Sequence, residues 1–291
     1  MTEPVALRTR AETEAARLPA LLARAERLAG TVLLGEHGRR RAGLGDDFWQ
    51  YRPAREGDSR RMVDHRRSAR GDVQFVRERE WQIAQTVMLW VDQGASMRFS
   101  SSPNQPEKID RARLIGLAMA ILLVRGGERV GLTGTTLPPR RGNAQILRLA
   151  EMFSRDETQD YATPEHRAMI PHARAVFVSD FLGDIDEVRL ALTKAADRGV
   201  RGALLQVLDP TEESFPYQGR TIFQSIAGTV SHETLKAGEL KSRYRDRLAT
   251  RRDELASLCR ATGWQFGMHH TSEPAQAALI WLYHALDGST R

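Results

Sequence analysis

Two aspartates stand directly after apolar runs of the sequence, where their side chains could bind a ligand. Asp92 ends the run that begins at Thr86, and Asp180 follows the run that begins at Ala173. If both runs are parallel strands, their carboxyl ends meet at one edge of a sheet, which is where such sheets bind ligands. The alternative is that both carboxylates only cap the loops or helices that follow, as Asp often does.

Other reactive residue types lack the spacing that catalysis or metal binding requires. His269 and His270 are adjacent, so in a strand they point to opposite faces, and one cation cannot easily take both. Cys259 lies within a helical apolar pattern and is expected to pack in the core. Gly126-Gly127 lacks the Lys-Ser/Thr ending of a phosphate-binding loop. We therefore predict that the protein is not an enzyme.

The elements that would position the two aspartates alternate between strands and helices. Strands are predicted over 86–92, 129–133, 173–178, 202–208, 221–226 and 264–269, and helices over 110–124, 144–153, 185–196, 232–262 and 274–286. The nearly continuous apolar run from Thr86 is typical of a central parallel strand that is covered on both faces. The repeated strand–helix units predict an α/β fold with a doubly wound, mostly parallel sheet.

The first 75 residues have a different character. A helix is predicted over 11–29, where leucines recur at helical spacing, and a glycine-rich basic segment follows it. Too few apolar residues recur periodically in this part for it to form its own core. We interpret residues 1–75 as an N-terminal helical and irregular lobe, packed on a main domain over residues 76–291.

Positive charge is concentrated in the segment from Arg39 to Arg70, which holds ten Arg and five acidic residues. One interpretation is a set of Arg–carboxylate pairs that pins an irregular segment onto the main domain. The alternative is a nucleic-acid-associated protein that binds phosphates through this segment. We favour the first, because acids alternate with the Arg residues and no aromatic residues are placed to stack on bases.

Composition bounds the class of protein. A chain of 291 residues with 41% hydrophobic and 27% charged residues is typical of a globular protein. The longest apolar stretch, Leu114 to Val124, is well short of the roughly 20 residues that span a bilayer. No apolar export signal is visible at the N-terminus, and the single Cys fits a reducing compartment. We expect a cytoplasmic protein without membrane insertion.

The Arg-rich segment also contains a recognisable order of residues. Its members are Tyr51, Pro53, Gly57, Asp58, Arg60, Asp64 and Arg70, a set that we call the N-terminal box. This box, followed by the strand and loop at Asp92, resembles the bacterial domain-of-unknown-function 58 family, and the resemblance extends from Leu18 to Leu286. It implies that the sheet domain is of von Willebrand factor A-like (Rossmann-like) type.

The resemblance also implies a metal site. In von Willebrand factor A domains, an Asp-x-Ser-x-Ser loop and a later Asp bind a divalent cation. Asp92, Ser96 and Asp180 match three of these ligand positions, whereas Gly94 replaces the first Ser. Mg²⁺ prefers oxygen ligands and keeps several waters, so this degenerate site would bind it weakly or not at all. No other cofactor is expected.

Members of this family are commonly found alongside AAA+ ATPases of the MoxR type. The resemblance therefore implies a protein-interaction or adaptor role in the assembly or activation of a protein complex. We expect the edge of the sheet at Asp92 to form the surface that binds the partner.

Overall fold

The structure is a computed structural model that describes residues 19–32, 40–43, 47–55, 58–59, 63–69, 71, 73–82, 85–155, 158–226, 228 and 231–287. The chain forms two compact units. The smaller lies within residues 36–85, and the larger comprises residues up to 35 together with residues 86–291.

The smaller unit is an antiparallel sheet with a short helix. In chain order, helix α1 (19–30) of the larger unit comes first, followed in the smaller unit by β1 (Arg40–Gly43), β2 (Asp47–Pro53), α2 (His65–Ser68) and β3 (Phe75–Gln82). The strand order is β1-β3-β2. Our interpretation of this part as helical and irregular missed these strands. In the sequence of β3, FVREREWQ, charged residues interrupt the apolar run by which we recognised the other strands.

The larger unit contains α1 and a five-stranded sheet. Its further elements are β4 (Thr86–Val91), a 3₁₀ turn (Ala95–Met97), α3 (Lys108–Arg125), β5 (Arg129–Leu132), α4 (Asn143–Phe153), β6 (Arg174–Ser179), α5 (Ile185–Asp197), β7 (Arg201–Leu208), α6 (Pro210–Ser214), β8 (Thr221–Gln224), β9 (Ser231–Thr234), α7 (Ala237–Thr262), β10 (Gln265–His270) and α8 (Ala275–Asp287). The main sheet has the order β10-β7-β6-β4-β5, and its pairings are parallel. The predicted α/β fold with a doubly wound, mostly parallel sheet is confirmed, and the arrangement is Rossmann-like.

Helices cover both faces of this sheet, and successive residues of its central strands β4, β6 and β7 enter two apolar cores in turn. On one face, Val87 and Leu89 of β4 belong to the core that also contains the buried residues of α3 and α8. On the other face, Met88 of β4 and Phe177 of β6 pack with buried residues of α5 and α7. This two-sided burial is the reason for the nearly continuous apolar runs in the sequence.

The path of the chain creates a switch point beside β4. The chain leaves β4 to form β5 on one side and then crosses to form β6 on the other side. We call the edge at which the five parallel strands end the carboxyl edge; the last strand residues there are Val91, Leu132, Ser179, Leu208 and His270. Asp92 and Asp180 therefore flank the switch point, where open sheets of this kind bind ligands.

The long helix α7 is shorter than predicted. Residues 231–234 form β9 and pair with β8, whereas we predicted that the helix begins at His232. Helix α7 begins at Ala237 and ends at Thr262, and Gly263, with a positive φ of 72°, forms the left-handed cap after it. Strand pairing with β8 thus overrides the helical preference of this segment, which propensity alone does not reveal.

The division into units differs from the predicted boundary between residues 75 and 76. Strand β3 continues to Gln82 and pairs with β1 and β2, so the smaller unit extends beyond Phe75. Helix α1 contributes Ala25 and Ala29 to the core of the larger unit. The packing of residues 1–75 as a lobe on the main domain stays a prediction.

Candidate functional site

Asp92 is fixed by hydrogen bonds at the carboxyl edge. Its Oδ1 accepts a hydrogen bond from the Gly94 backbone N–H at 2.7 Å, and its Oδ2 accepts one from the Ser179 hydroxyl at 2.6 Å. The Asp92 backbone N–H donates to the Val178 carbonyl at 2.9 Å. The residue is only 1% exposed, so a partner cannot contact its carboxylate directly. The expectation that the edge of the sheet at Asp92 binds a partner stays a prediction, and the contact would be made by exposed residues around Asp92.

Position 94 has no space for a side chain, so glycine is required there. A Cβ atom there would lie 2.8 Å from the Ala162 backbone nitrogen and 2.9 Å from Asp92 Oδ1. Its φ of −61° is open to any residue, so conformational freedom is not the reason for glycine. A serine in this loop would have to displace backbone atoms, and the glycine therefore suits the tight turn around Asp92.

Ser96 lies in the 3₁₀ turn that follows. Its backbone N–H donates to the Asp160 carbonyl at 2.8 Å, which fixes the turn against residues 159–160. Its hydroxyl oxygen is enclosed and has no hydrogen-bond partner within the described part of the chain. The structure thus brings Asp92, Ser96 and Asp180 to the same edge but shows no hydrogen bond among their side chains in the part it describes.

Asp180 is bound to a buried lysine. Lys108 Nζ lies 2.8 Å from Asp180 Oδ2 and 2.6 Å from Glu212 Oε1. The other oxygen of Asp180 accepts the Leu182 backbone N–H at 3.0 Å, and the other oxygen of Glu212 accepts the Asp209 backbone N–H at 2.9 Å. Each carboxylate therefore divides its oxygens between the ammonium group and a backbone donor.

Lys108 keeps its charge in this environment. The side chain is only 1% exposed, and burial alone would lower its pKa, but the carboxylates of Asp180 and Glu212 outweigh burial and raise the pKa. The Phe99 ring lies 5.8 Å from Nζ, close enough for a cation–π contact. The structure therefore places the Lys108 ammonium group between two carboxylates at the switch point.

Helix α6 extends this polar group towards the surface. Asp209 caps the helix through a capping box with Glu212, and it also accepts the Ser101 backbone N–H at 3.0 Å. Glu213 pairs with Arg252 of α7 at 2.7 Å and with His270 of β10 at 2.5 Å. These contacts lower the pKa of Glu213 to about 2, with the hydrogen bond from Arg252 as the largest cause. The short helix is thus tied to α3, α7 and the end of β10.

The two adjacent histidines have different partners, as their strand geometry predicts. His270 contacts Glu213, whereas His269 is buried and its Nε2 atom has no hydrogen bond among the described residues. Burial and the charge of Arg111 lower the pKa of His269 to about 4, against the attraction of Glu273. No group of three or more His, Cys, Asp or Glu side chains in the described ranges is arranged to hold a metal ion.

The residues present do not fit a divalent cation as they are arranged. Asp180 already binds an ammonium ion, Asp92 accepts two hydrogen bonds from the protein, and Gly94 offers no side-chain oxygen. The Ser96 hydroxyl is buried and has no hydrogen-bond partner in the described part of the chain, but a single hydroxyl does not make a cation site. A divalent cation beside Lys108 would be repelled by its charge. The weak Mg²⁺ site stays a prediction, and the donor arrangement argues against it.

The buried thiol also lacks the features of a nucleophile. Cys259 is a buried residue of α7 that packs in the core, and burial raises its pKa to about 12. A thiol with a raised pKa is protonated at neutral pH and reacts poorly. Its environment supports the packing role that the sequence predicts.

The described part of the N-terminal box forms a local hydrogen-bonded group in the smaller unit. Asp64 caps α2 by accepting the Arg67 backbone N–H at 2.9 Å, and it accepts the Tyr51 hydroxyl at 3.2 Å. Asp58 accepts the Arg55 backbone N–H at 2.7 Å, and Pro53 ends β2. The remaining members of the box lie outside the described residues: Gly57, Arg60 and Arg70.

Sequence reasoning missed Lys108, Glu212 and Glu213. A signal for α6 was present, because Asp209 followed three residues later by Glu212 is a capping-box pattern. A second signal was Lys108 itself, which is the first residue of α3 although helix N-termini favour acidic residues. No local pattern indicates that these two residues meet.

Comparison with known proteins identifies the family. The family model described as "Protein of unknown function DUF58" matches residues 50–255, and the chain therefore belongs to this family. Uncharacterized proteins of Mycobacterium tuberculosis and Mycobacterium bovis are 28% identical over 247 residues, which are 80% of this chain and 77% of each relative. A solved structure, an aerotolerance-related membrane protein from Bacteroides fragilis carrying multiple mutations to serines, has a TM-score of 0.40 and 15% identity. It matches over 70% of this chain and all of that chain.

Within the described residues, no helix combines the length and the apolar composition that crossing a membrane requires.

Proposed function

We propose that this protein is a non-enzymatic interaction or adaptor protein of the cytoplasm. It would work with an AAA+ ATPase of the MoxR type in the assembly or activation of a protein complex. Family resemblance supports the partner class, because members of this family are commonly found alongside such ATPases. The surface that would bind the partner is the rim of the carboxyl edge.

The observation that carries this proposal is an exposed aromatic side chain on that rim. Tyr161 is 44% exposed, and it packs against Gly183, where an added Cβ would lie 2.9 Å from the Tyr161 Cβ. The preceding residues 159 and 160 bind the 3₁₀ turn through their carbonyls. Burial raises the pKa of the Tyr161 hydroxyl, and the negative charge of Asp180 raises it further.

A fixed, partly exposed tyrosine is well suited to bind another protein. Tyrosine is enriched among the residues that dominate protein–protein binding energies, because it offers a large apolar area with a polar tip. The carboxylates beneath it hold the loops in place rather than standing next to a nucleophile. This division between buried structural charges and an exposed ring favours binding over catalysis.

Titration with a purified MoxR-type AAA+ ATPase from the same organism tests the proposal. Binding to the wild-type protein should weaken about tenfold or more in Tyr161→Ala, as for an interface hot spot. Leu190→Ala is the matched control, because Leu190 is also an exposed apolar residue but lies on helix α5, and this variant should bind normally. No binding by the wild-type protein, or equal binding by Tyr161→Ala, would contradict the proposal.

A further inference from the structure

We propose that the Lys108 ammonium group is the built-in cation of the carboxyl edge and makes this edge independent of divalent metal. The geometry that points to it is the position of Nζ between Asp180 and Glu212 at the switch point of the sheet. This role would replace that of the weak Mg²⁺ site with a group that the chain itself supplies.

The hydrogen bonds around Lys108 support this role. An ammonium group has three N–H donors, and two of them are directed to Asp180 and Glu212. The second oxygens of both carboxylates accept backbone N–H groups. Both acids are thus arranged around a singly charged, hydrogen-bonding cation, whereas Mg²⁺ requires near-octahedral oxygen ligands at shorter distances.

The position of Lys108 on its helix supports a specific need for its charge. Lys108 is the first residue of α3, where the aligned peptide dipoles disfavour a cation. Its burial adds a further cost, since a charged group loses its hydration in the interior. The two carboxylates offset both costs, which explains how a lysine is stable at this position.

The connectivity of the ion pairs shows what this cation would do. Asp180 directly follows β6, and Glu212 belongs to α6, which follows β7. Lys108 therefore connects the start of α3 to the segments that follow these two strands. In a metal-dependent site, a divalent ion would draw such loops together. Here the lysine side chain draws them together without any ligand from solution.

Metal-dependent stabilisation tests the proposal in the isolated protein. Millimolar Mg²⁺ or Mn²⁺ should leave the melting temperature of the wild-type protein unchanged, since a weak site gives little linked stabilisation. In Lys108→Ala, the freed carboxylates should take up Mn²⁺, and the melting temperature should rise by several degrees. Lys236→Ala is the matched control, because it removes an exposed lysine paired with Glu239 and should show no response to metal.

Equal responses of the wild-type protein and Lys108→Ala to Mn²⁺ would overturn the proposal. Refolding of Lys108→Ala only when Mn²⁺ is added would support it. If that variant does not fold under either condition, calorimetry on the wild-type protein decides. Micromolar Mn²⁺ binding that is lost in Asp180→Asn would overturn the proposal, and its absence would support it. None of these measurements depends on a partner protein.

Discussion

The two aspartates at the carboxyl edge follow adjacent strands, yet they are stabilised in different ways. Asp92 accepts hydrogen bonds from two neutral donors, a backbone N–H two residues away and the Ser179 hydroxyl. Asp180 forms an ion pair with Lys108, which lies 72 residues away in the sequence. At Asp92, the neutral half of the edge, the donors include a backbone N–H and a hydroxyl, whereas at Asp180, the charged half, they include a buried ammonium group that also binds Glu212.

This difference affects what each half can do. The backbone N–H of Gly94 and the hydroxyl of Ser179 hold Asp92 in a tight turn. The charged half connects α3, α6, α7 and β10 through a series of ion pairs that ends near the surface at Glu213. We infer that the charged half determines the stability of the rim, while the neutral half sets the shape of one loop.

The largest expected effect is the loss of the charge at Asp180. Asp180→Ala leaves the buried Lys108 with one partner fewer, and breaking a buried ion pair in this way costs about 3–5 kcal/mol. Asp180→Asn should be nearly as destabilising, because the amide has no charge to meet the ammonium group. Urea unfolding measures both changes.

The matched control for this substitution is Asp186→Ala. Asp186 also pairs with a basic residue, Arg189, but both side chains are exposed, and such pairs contribute about 1 kcal/mol or less. Equal effects of the two alanine variants would show that burial does not strengthen the Asp180 pair. The proposed difference between Asp92, which neutral donors hold, and Asp180, which a buried ion pair holds, would then be wrong.

A pH dependence is expected next, from His269 in the charged half. Its folded pKa of about 4 lies below the ordinary value of 6.5, so the unfolded chain takes up the proton first as the pH falls. The contribution of His269 to the free energy of unfolding is therefore fully present above pH 6.5 and is lost as the pH falls towards 4. This shift corresponds to about 3 kcal/mol at the acidic end.

Chemical denaturation across this pH range, with His269→Gln for comparison, measures that contribution. The difference in unfolding free energy between the wild-type protein and the variant should shrink as the pH falls. His232→Gln, which changes an exposed histidine on β9, should follow the wild-type curve. Parallel curves for the wild-type protein and His269→Gln would show that His269 does not have the low pKa that its burial implies.

The sequence was sufficient for the features that depend on local patterns. Apolar runs ending in Asp92 and Asp180 correctly predicted β4 and β6 and the edge that both residues share. Helical periodicity predicted α3, α4, α5 and α8 to within a few residues. The apolar pattern did not predict strand β3, because its alternating Arg and Glu residues form no apolar face.

The charged half of the edge could not be predicted for a different reason. Lys108 and Glu212 are 104 residues apart, and their meeting depends on the sheet order and on the path of α6. A single sequence contains no local signal for such a pair. The resemblance to a metal-binding motif indicated the positions of Asp92, Ser96 and Asp180. It gave no indication of Lys108, which is the first residue of helix α3.

The smallest expected effect concerns Asp92, and it tests the neutral half directly. Asp92→Ala removes the acceptor for the Gly94 N–H and the Ser179 hydroxyl, which should cost about 2 kcal/mol. Asp92→Asn should be much milder, since its amide oxygen can accept the Gly94 N–H and its NH₂ group can donate to the Ser179 oxygen. Urea unfolding measures the loss of unfolding free energy in each variant. The loss in the Asn variant divided by the loss in the Ala variant should be small at position 92 and close to one at position 180. An Asp92→Asn variant as unstable as Asp92→Ala would show that the charge of Asp92 is needed, and the two halves of the edge would then rest on the same kind of interaction.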